Sequence, residues 1–214
     1  MICGVWEVSP KGGCMGLKES IKEREAVVGV IGLGYVGLPL AIEAGSAGFW
    51  VVGLEKESDK RRYLASGETL YEGLDGDRMG RLLEEEKLRI TGDSGDLLSC
   101  DIVCICVPTP LSSTRDPDLE FVRKAARQTG ALLREGTRPK LVIVESTSYP
   151  GTTREVVQPI LEAEGMKQCE DFHLAYSPER VDPGNTRWDI SNTPKLVGGV
   201  GDCCSGLAES FYAC

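Results

Sequence analysis

Residues 26–37 read Ala-Val-Val-Gly-Val-Ile-Gly-Leu-Gly-Tyr-Val-Gly. The first seven form a continuous apolar run, which suits a strand buried on both faces, as in a parallel sheet. The last six spell G-x-G-x-x-G. That spacing is common by itself, but between a strand and a helix it acquires a mechanism. Gly32 allows a tight turn, Gly34 lets the backbone approach a pyrophosphate, and Gly37 lets the next helix pack closely on the strand. The N-terminus of that helix then offers N–H groups and the positive end of its dipole to the phosphates.

Working outward, residues 35–48 read as the helix and 49–54 as a second buried strand. Glu55 follows at once. A carboxylate there, at this distance from the glycines, accepts hydrogen bonds from the ribose hydroxyls of an adenosine and repels a 2′-phosphate, so NAD is favoured over NADP. Lys56, Arg61 and Arg62 lie close by and work against that preference. The plainer alternative is a glycine-rich turn beside a solvated Glu55. Further along, residues 56–66, 78–87, 119–134 and 152–164 read as helices. Residues 101–107, 141–145, 172–176 and 195–200 read as strands. The alternation predicts an α/β fold of Rossmann type: a doubly wound, mostly parallel sheet with helices on both faces.

Ligands of open α/β sheets bind at the carboxyl ends of the strands. Two such ends carry hydroxyls and rigid turns, Val107-Pro108-Thr109-Pro110 and Glu145-Ser146-Thr147-Ser148-Tyr149-Pro150-Gly151-Thr152. Ordinary turn chemistry would also explain them. A third stretch, 176–185, holds two prolines, a glycine and three charges. Within it, Glu179 is a candidate base and Arg180 a planar fork for a phosphate or carboxylate; a solvated loop with a surface ion pair is the competing reading.

The bulk numbers narrow the field. The formal net charge of −9 over 214 residues argues against a nucleic-acid partner, which requires a cationic surface. No stretch is apolar and long enough to span a bilayer, and residues 1–16 lack the apolar core of a signal peptide, so no membrane partner and a cytoplasmic location are expected. Nine cysteines and a single histidine, His173, include no C-x-x-C pair, so no metal site is expected from spacing. Cys104 and Cys106 alternate in an apolar run and read as small core residues sharing one face. Without a secretory signal, free thiols are the default.

The motifs together resemble the UDP-glucose/GDP-mannose dehydrogenase family, closest to its UDP-N-acetylglucosamine 6-dehydrogenase branch. The likeness rests on residues 28–40, on Ile105-Cys106-Val107-Pro108-Thr109-Pro110-Leu111, on Glu145-Ser146-Thr147 through Thr153, and above all on Ser177-Pro178-Glu179-Arg180-Val181-Asp182-Pro183-Gly184-Asn185. It implies oxidation of the C6 alcohol of a UDP-sugar to a carboxylate with two NAD⁺ and one water, through an aldehyde and a cysteine thioester. It further implies that Gly32, Gly34, Tyr35, Val36 and Gly37 hold the pyrophosphate, and that Glu55 holds the ribose with Lys60 near the adenosine. Thr109 and Thr147 then face the nicotinamide, and Thr147 and Glu179 act on a water. Arg180 and Asn185 lie on the side of the UDP-sugar. The family commonly has Asp where Glu55 stands, a change that keeps the charge and lengthens its reach.

The resemblance also sets expectations about extent. Residues 1–16 read as a disordered or foreign leader, 17–201 as the NAD-binding domain and 202–214 as the start of a further helix. Family members are about twice as long, form homo-oligomers through a segment beyond this point, and carry their catalytic lysine and cysteine there. None of the nine cysteines sits in that nucleophile motif, so this chain alone is expected to be inactive. A β-hydroxyacid type dehydrogenase and a non-catalytic nucleotide-binding module remain the alternatives.

Overall fold

The computed structural model describes residues 13–69, 71, 74, 76–111, 117–163, 165–180 and 192–214. Its centre is the apolar run already quoted. β1 (Val27–Ile31) is buried at every position and pairs in parallel with β2 (Trp50–Leu54) on one side and β4 (Ile102–Ile105) on the other. β3 (Leu88–Thr91) extends the sheet beyond β2, and β5 (Lys140–Val144) and β6 (Phe172–Tyr176) extend it beyond β4, all in parallel. A two-residue antiparallel strand, β7 (Gly198–Gly199), closes the far edge. The strand order is β3-β2-β1-β4-β5-β6-β7. The order therefore reverses at β1 and β4, and such a reversal opens a crevice at the carboxyl ends of the strands.

Alternation along the strands divides the core into two layers. Val28 and Val30 of β1 join Ile102 and Cys104 of β4 on one face, under α1 (Gly13–Lys22), α2 (Gly37–Ser46), α4 (Gly76–Glu84) and α7 (Asp202–Tyr212). Val27 and Ile31 join Val103 and Ile105 on the other, under α5 (Glu120–Glu135) and α6 (Gln158–Glu162). Cys104 and Cys106 share the first face as their spacing requires, and burial pushes both thiols well up from the usual cysteine range. α3 (Ser58–Ala65) lies on the surface and buries only Leu64.

The departures from expectation have local causes. The first helix starts at Gly13, inside the stretch read as a leader; Leu17 and Ile21 are its core contacts and pack with Leu207, Ala208 and Phe211 of α7. Residues 1–12 lie outside the described ones. α2 begins at Gly37, two residues later than expected, because residues 32–36 are spent on the turn. β3 goes unforeseen because it is a short edge strand, only four residues long, whose central Arg89 is exposed. The strand expected at 195–200 shrinks to Gly198–Gly199, where the start of α7 crosses so closely that a Cβ on Gly199 would stand 2.2 Å from the Ser205 nitrogen. The helix expected at 152–164 begins as a π-helix over Thr152–Val157 and becomes α at Gln158. None of the described helices is long and apolar enough to cross a membrane.

Candidate functional site

The glycine motif forms one wall of a cleft of about 630 Å³ at the carboxyl ends of β1, β2, β4 and β5. Each glycine has a separate steric reason. Gly32 sits at φ 92°, where side chains are strained, and a Cβ there would stand 2.7 Å from the Cys106 carbonyl. A Cβ on Gly37 would come within 1.9 Å of the Gly32 carbonyl, so only glycine lets α2 start here. Around Gly34 a Cβ would meet nothing within 4 Å. Its smallness is therefore not required by the fold and leaves space for a ligand. No side chain caps the start of α2, where the Leu38 amide donates to the Gly34 carbonyl at 3.1 Å and Pro39 carries no N–H. The positive end of the helix dipole lies behind the cleft wall made by Gly34, Tyr35 and Val36.

Glu55 closes the second side. It is 8% exposed and directly follows β2. Its carboxylate accepts from the Glu57 amide at 3.1 Å and pairs with Lys60 Nζ at 2.9 Å. Burial pushes its pKa up, but Lys60 and the Glu57 and Leu33 amides outweigh that and hold it below the usual carboxylate range. The group is thus an ionised acceptor at neutral pH. The cations feared as NADP determinants are otherwise engaged: Arg61 donates to the Glu55 carbonyl at 3.0 Å, Lys56 to the Gly92 carbonyl at 3.3 Å, and Arg62 pairs at the surface with Asp59.

Tyr35, Val36, Thr109 and Thr147 also line the cleft, as the motifs suggested. Ser146 fixes its floor by donating to the Val107 carbonyl at 2.8 Å, which ties the end of β5 to the end of β4. The turn after β5 depends on Gly151 at φ 98° and on Thr152, whose hydroxyl donates to the Tyr149 carbonyl at 2.8 Å. Glu179 and Arg180 follow β6 but are not among the described residues that wall the cleft. Glu179 Oε1 accepts from the Arg180 amide at 2.7 Å. Its charge is felt at Cys106 and Glu145, which places it at the same end of the sheet. Asn185 lies outside the described residues.

Other wall residues went unnoticed in the sequence. Tyr71 packs against Tyr35 with ring centroids 4.3 Å apart and planes tilted by 53°, and its hydroxyl donates to the Leu33 carbonyl at 3.4 Å. α5 contributes Phe121, Lys124, Ala125 and Gln128, a stripe at helical spacing that the mixed polarity of those residues hid. The Gln128 side-chain nitrogen is buried without a hydrogen-bond partner among the described residues. A buried donor left unsatisfied is costly, and a polar ligand in this cleft would relieve it. The open space at Gly34, the ionised Glu55 and this donor all fit a dinucleotide.

Behind the cleft, Glu145 is wholly buried at the end of β5. It accepts from Lys195 and from the Tyr212 hydroxyl of α7. Burial pushes its pKa up, with Lys195 and Tyr212 opposing.

The expectation that no metal ligands converge needs correction. The fold brings Cys169, His173, Cys203 and Cys204 together, with all ligand atoms within 4.8 Å of one another. Sequence spacing missed them because β6 and α7 supply two pairs some thirty residues apart.

The fold, the glycine turn and the acid after β2 define a Rossmann-type dinucleotide-binding domain. The profile of the UDP-glucose/GDP-mannose dehydrogenase family, NAD binding domain, matches residues 26–214, and the chain belongs to that family, with NAD as its cofactor. It is 37% identical over 190 residues to a UDP-N-acetyl-D-glucosamine 6-dehydrogenase of Pseudomonas aeruginosa, covering 88% of this chain and 43% of the relative. It is 36% identical over 186 residues to the UDP-N-acetyl-D-mannosamine dehydrogenase of Pyrococcus horikoshii, covering 86% and 44%. Among solved structures it superimposes on a GDP-mannose dehydrogenase from Pseudomonas aeruginosa with a TM-score of 0.81 at 29% identity, covering 87% of this chain and 44% of that one. The chain thus spans less than half the length of the relatives it matches.

Proposed function

We propose that this chain is the cofactor-binding part of a nucleotide-sugar 6-dehydrogenase that oxidises the C6 alcohol of UDP-N-acetylglucosamine, or a related UDP-hexose, to the uronate. The observation that carries the reading is the joining, at one end of one sheet, of a glycine-built phosphate site with the Thr147 and Glu179 strand ends. Bound NAD⁺ supplies a hydride acceptor. The glycine turn at Gly34 and the positive end of α2 receive its diphosphate, and Glu55 accepts from the adenosine ribose hydroxyls. Lys60 orients Glu55. Thr109 and Thr147 stand where the nicotinamide end lies. Glu179 is assigned as the acid/base group that, with Thr147, handles a proton on water, and Arg180 and Asn185 as contacts to the UDP-sugar.

Relatives at 36–37% identity bear both the N-acetylglucosamine and the N-acetylmannosamine names, so both sugars are candidate substrates and both enter the test. The 214-residue chain itself binds NAD⁺ and turns over nothing. Its one described cysteine in the cleft wall, Cys106, is a buried core residue with a raised thiol pKa, unsuited to nucleophilic attack. The test is calorimetric titration with NAD⁺ and NADP⁺, followed by an assay for NADH with UDP-N-acetylglucosamine and UDP-N-acetylmannosamine. Saturable NAD⁺ binding, weaker NADP⁺ binding and no turnover are expected. Steady NADH formation by the pure chain would overturn the inactivity, and a preference for NADP⁺ would overturn the role of Glu55.

A further inference from the structure

We propose that Cys169, His173, Cys203 and Cys204 form a tetrahedral zinc site that fastens α7 to the edge of the sheet, at the end opposite the nucleotide cleft. Cys169 lies in the turn before β6, and His173 is the second residue of that strand. β7 runs antiparallel to β6, so the chain leaving it returns to the amino end of β6. There α7 begins, with Cys203 and Cys204 in its first turn.

Four of the six distances match the edges of a metal tetrahedron. Zinc bonds of about 2.3 Å to sulfur and 2.0–2.1 Å to nitrogen give tetrahedral edges of about 3.8 Å between sulfurs and about 3.6 Å between sulfur and nitrogen. Here Cys169 and Cys204 Sγ are 3.7 Å apart, and Cys203 and Cys204 Sγ 3.8 Å. His173 Nδ1 stands 3.6 Å from Cys203 Sγ and 3.8 Å from Cys204 Sγ. The Cys169–Cys203 edge is shorter at 3.1 Å, and the Cys169–His173 edge lies within 4.8 Å. Three thiolates and an imidazole are the ligand set of closed, structural zinc sites.

The surroundings supply what such a site needs. His173 and Cys204 are buried while Cys169 is exposed, which leaves an entry path from solvent. The Gln168 side-chain amide reaches both Cys169 and Cys204 sulfurs, at 3.7 and 3.6 Å, as outer groups do around bound thiolates. The N-terminus of α7 favours negative sulfur at Cys203 and Cys204. Cys169 also adopts φ 66°, a left-handed conformation that a cysteine holds only where its surroundings enforce it.

The test uses the whole chain, purified without added metal and dialysed against metal-free buffer. About one zinc per chain by mass spectrometry of the elements is expected. Exchange for Co²⁺ should give the visible bands of a tetrahedral site together with thiolate-to-cobalt charge transfer. Cys169→Ser and Cys203→Ser, both on the solvent side, should lose zinc and the charge-transfer band while NAD⁺ affinity stays within twofold. If both variants fail to fold, chelation and readdition on the unaltered chain decide, by reversible loss and recovery of one zinc. Zinc retained by both folded variants, a chain that takes up neither Zn²⁺ nor Co²⁺ with its thiols reduced, or a mass deficit of two hydrogens locating a Cys169–Cys203 disulfide would each overturn the proposal.

Discussion

The two ends of this sheet solve different problems with opposite materials. At the carboxyl ends of the strands the cleft is made by leaving things out: side chains at Gly32, Gly34 and Gly37, and a cap on α2. Its polar side chains, among them Glu55, Thr109, Gln128 and Thr147, stand around that space and do not converge on one point. At the amino end of β6 the cluster is made of side chains alone, with three sulfurs and an imidazole nitrogen pointing at one another. The first end stays open because a ligand as large as a dinucleotide must enter and leave. The second is nearly closed, because a metal-sized space needs only one path in. Between them, α7 belongs to both: its first turn carries Cys203 and Cys204, and its last turn places Tyr212 on Glu145 behind the cleft.

The buried Glu145 on which α7 ends gives the largest expected effect when its ion pair is broken. Lys195→Met leaves Glu145 buried without its cation. Losing one partner of a buried pair costs about 3–5 kcal/mol, to be read from urea unfolding. Without Lys195 the Glu145 pKa rises further. A carboxyl raised in the folded state loses stability as pH climbs through that raised value, so the deficit should be greatest at neutral pH and shrink as pH falls toward the ordinary value of roughly 4.3.

Next in size is Gly37→Val, which forces atoms into the Gly32 carbonyl. Overpacking of this kind costs about 1–3 kcal/mol, and it should remove NAD⁺ binding as well, measured by calorimetry. Glu55→Gln should act mainly on the ligand. Hydrogen bonds to a charged group contribute about 1.5–3 kcal/mol, so NAD⁺ affinity should fall at least tenfold. Glu55 is depressed in the folded state, so its contribution to stability is complete above the ordinary glutamate value and drains as pH falls through the lower folded one. The Gln variant should show a flatter acid limb in thermal melts. Removing metal from the Cys–His cluster should lower the melting temperature and leave NAD⁺ affinity unchanged, since that end of the sheet touches no part of the cleft.

The unequal legibility of the two ends follows from their construction. The turn at 32–37 and Glu55 depend on residues close in sequence, so spacing carries their geometry. The five buried strands with apolar runs were legible for the same reason; β3 was not, because a half-exposed edge strand has no such run. Tyr71, Lys124 and Gln128 reach the cleft through helix packing and a loop, and nothing in their neighbourhoods marks them. Strand-end logic marked the segments after β4 and β5, the family resemblance picked Thr109 and Thr147 within them, and both line the cleft. The cysteine cluster was hidden because its pairs meet only after β6 and β7 are joined, and antiparallel pairing at a sheet edge has no pattern in a two-glycine strand.

One substitution isolates the central assignment from the stability of the fold. Gly34 has open space where its side chain would be, so Gly34→Val should melt within about 1 °C of the unaltered chain, as expected for a site that touches nothing. Calorimetry should nevertheless show NAD⁺ affinity reduced by at least a hundredfold, because the added atoms occupy the diphosphate position. A variant that melts normally and still binds NAD⁺ as before would mean the dinucleotide does not lie across this turn.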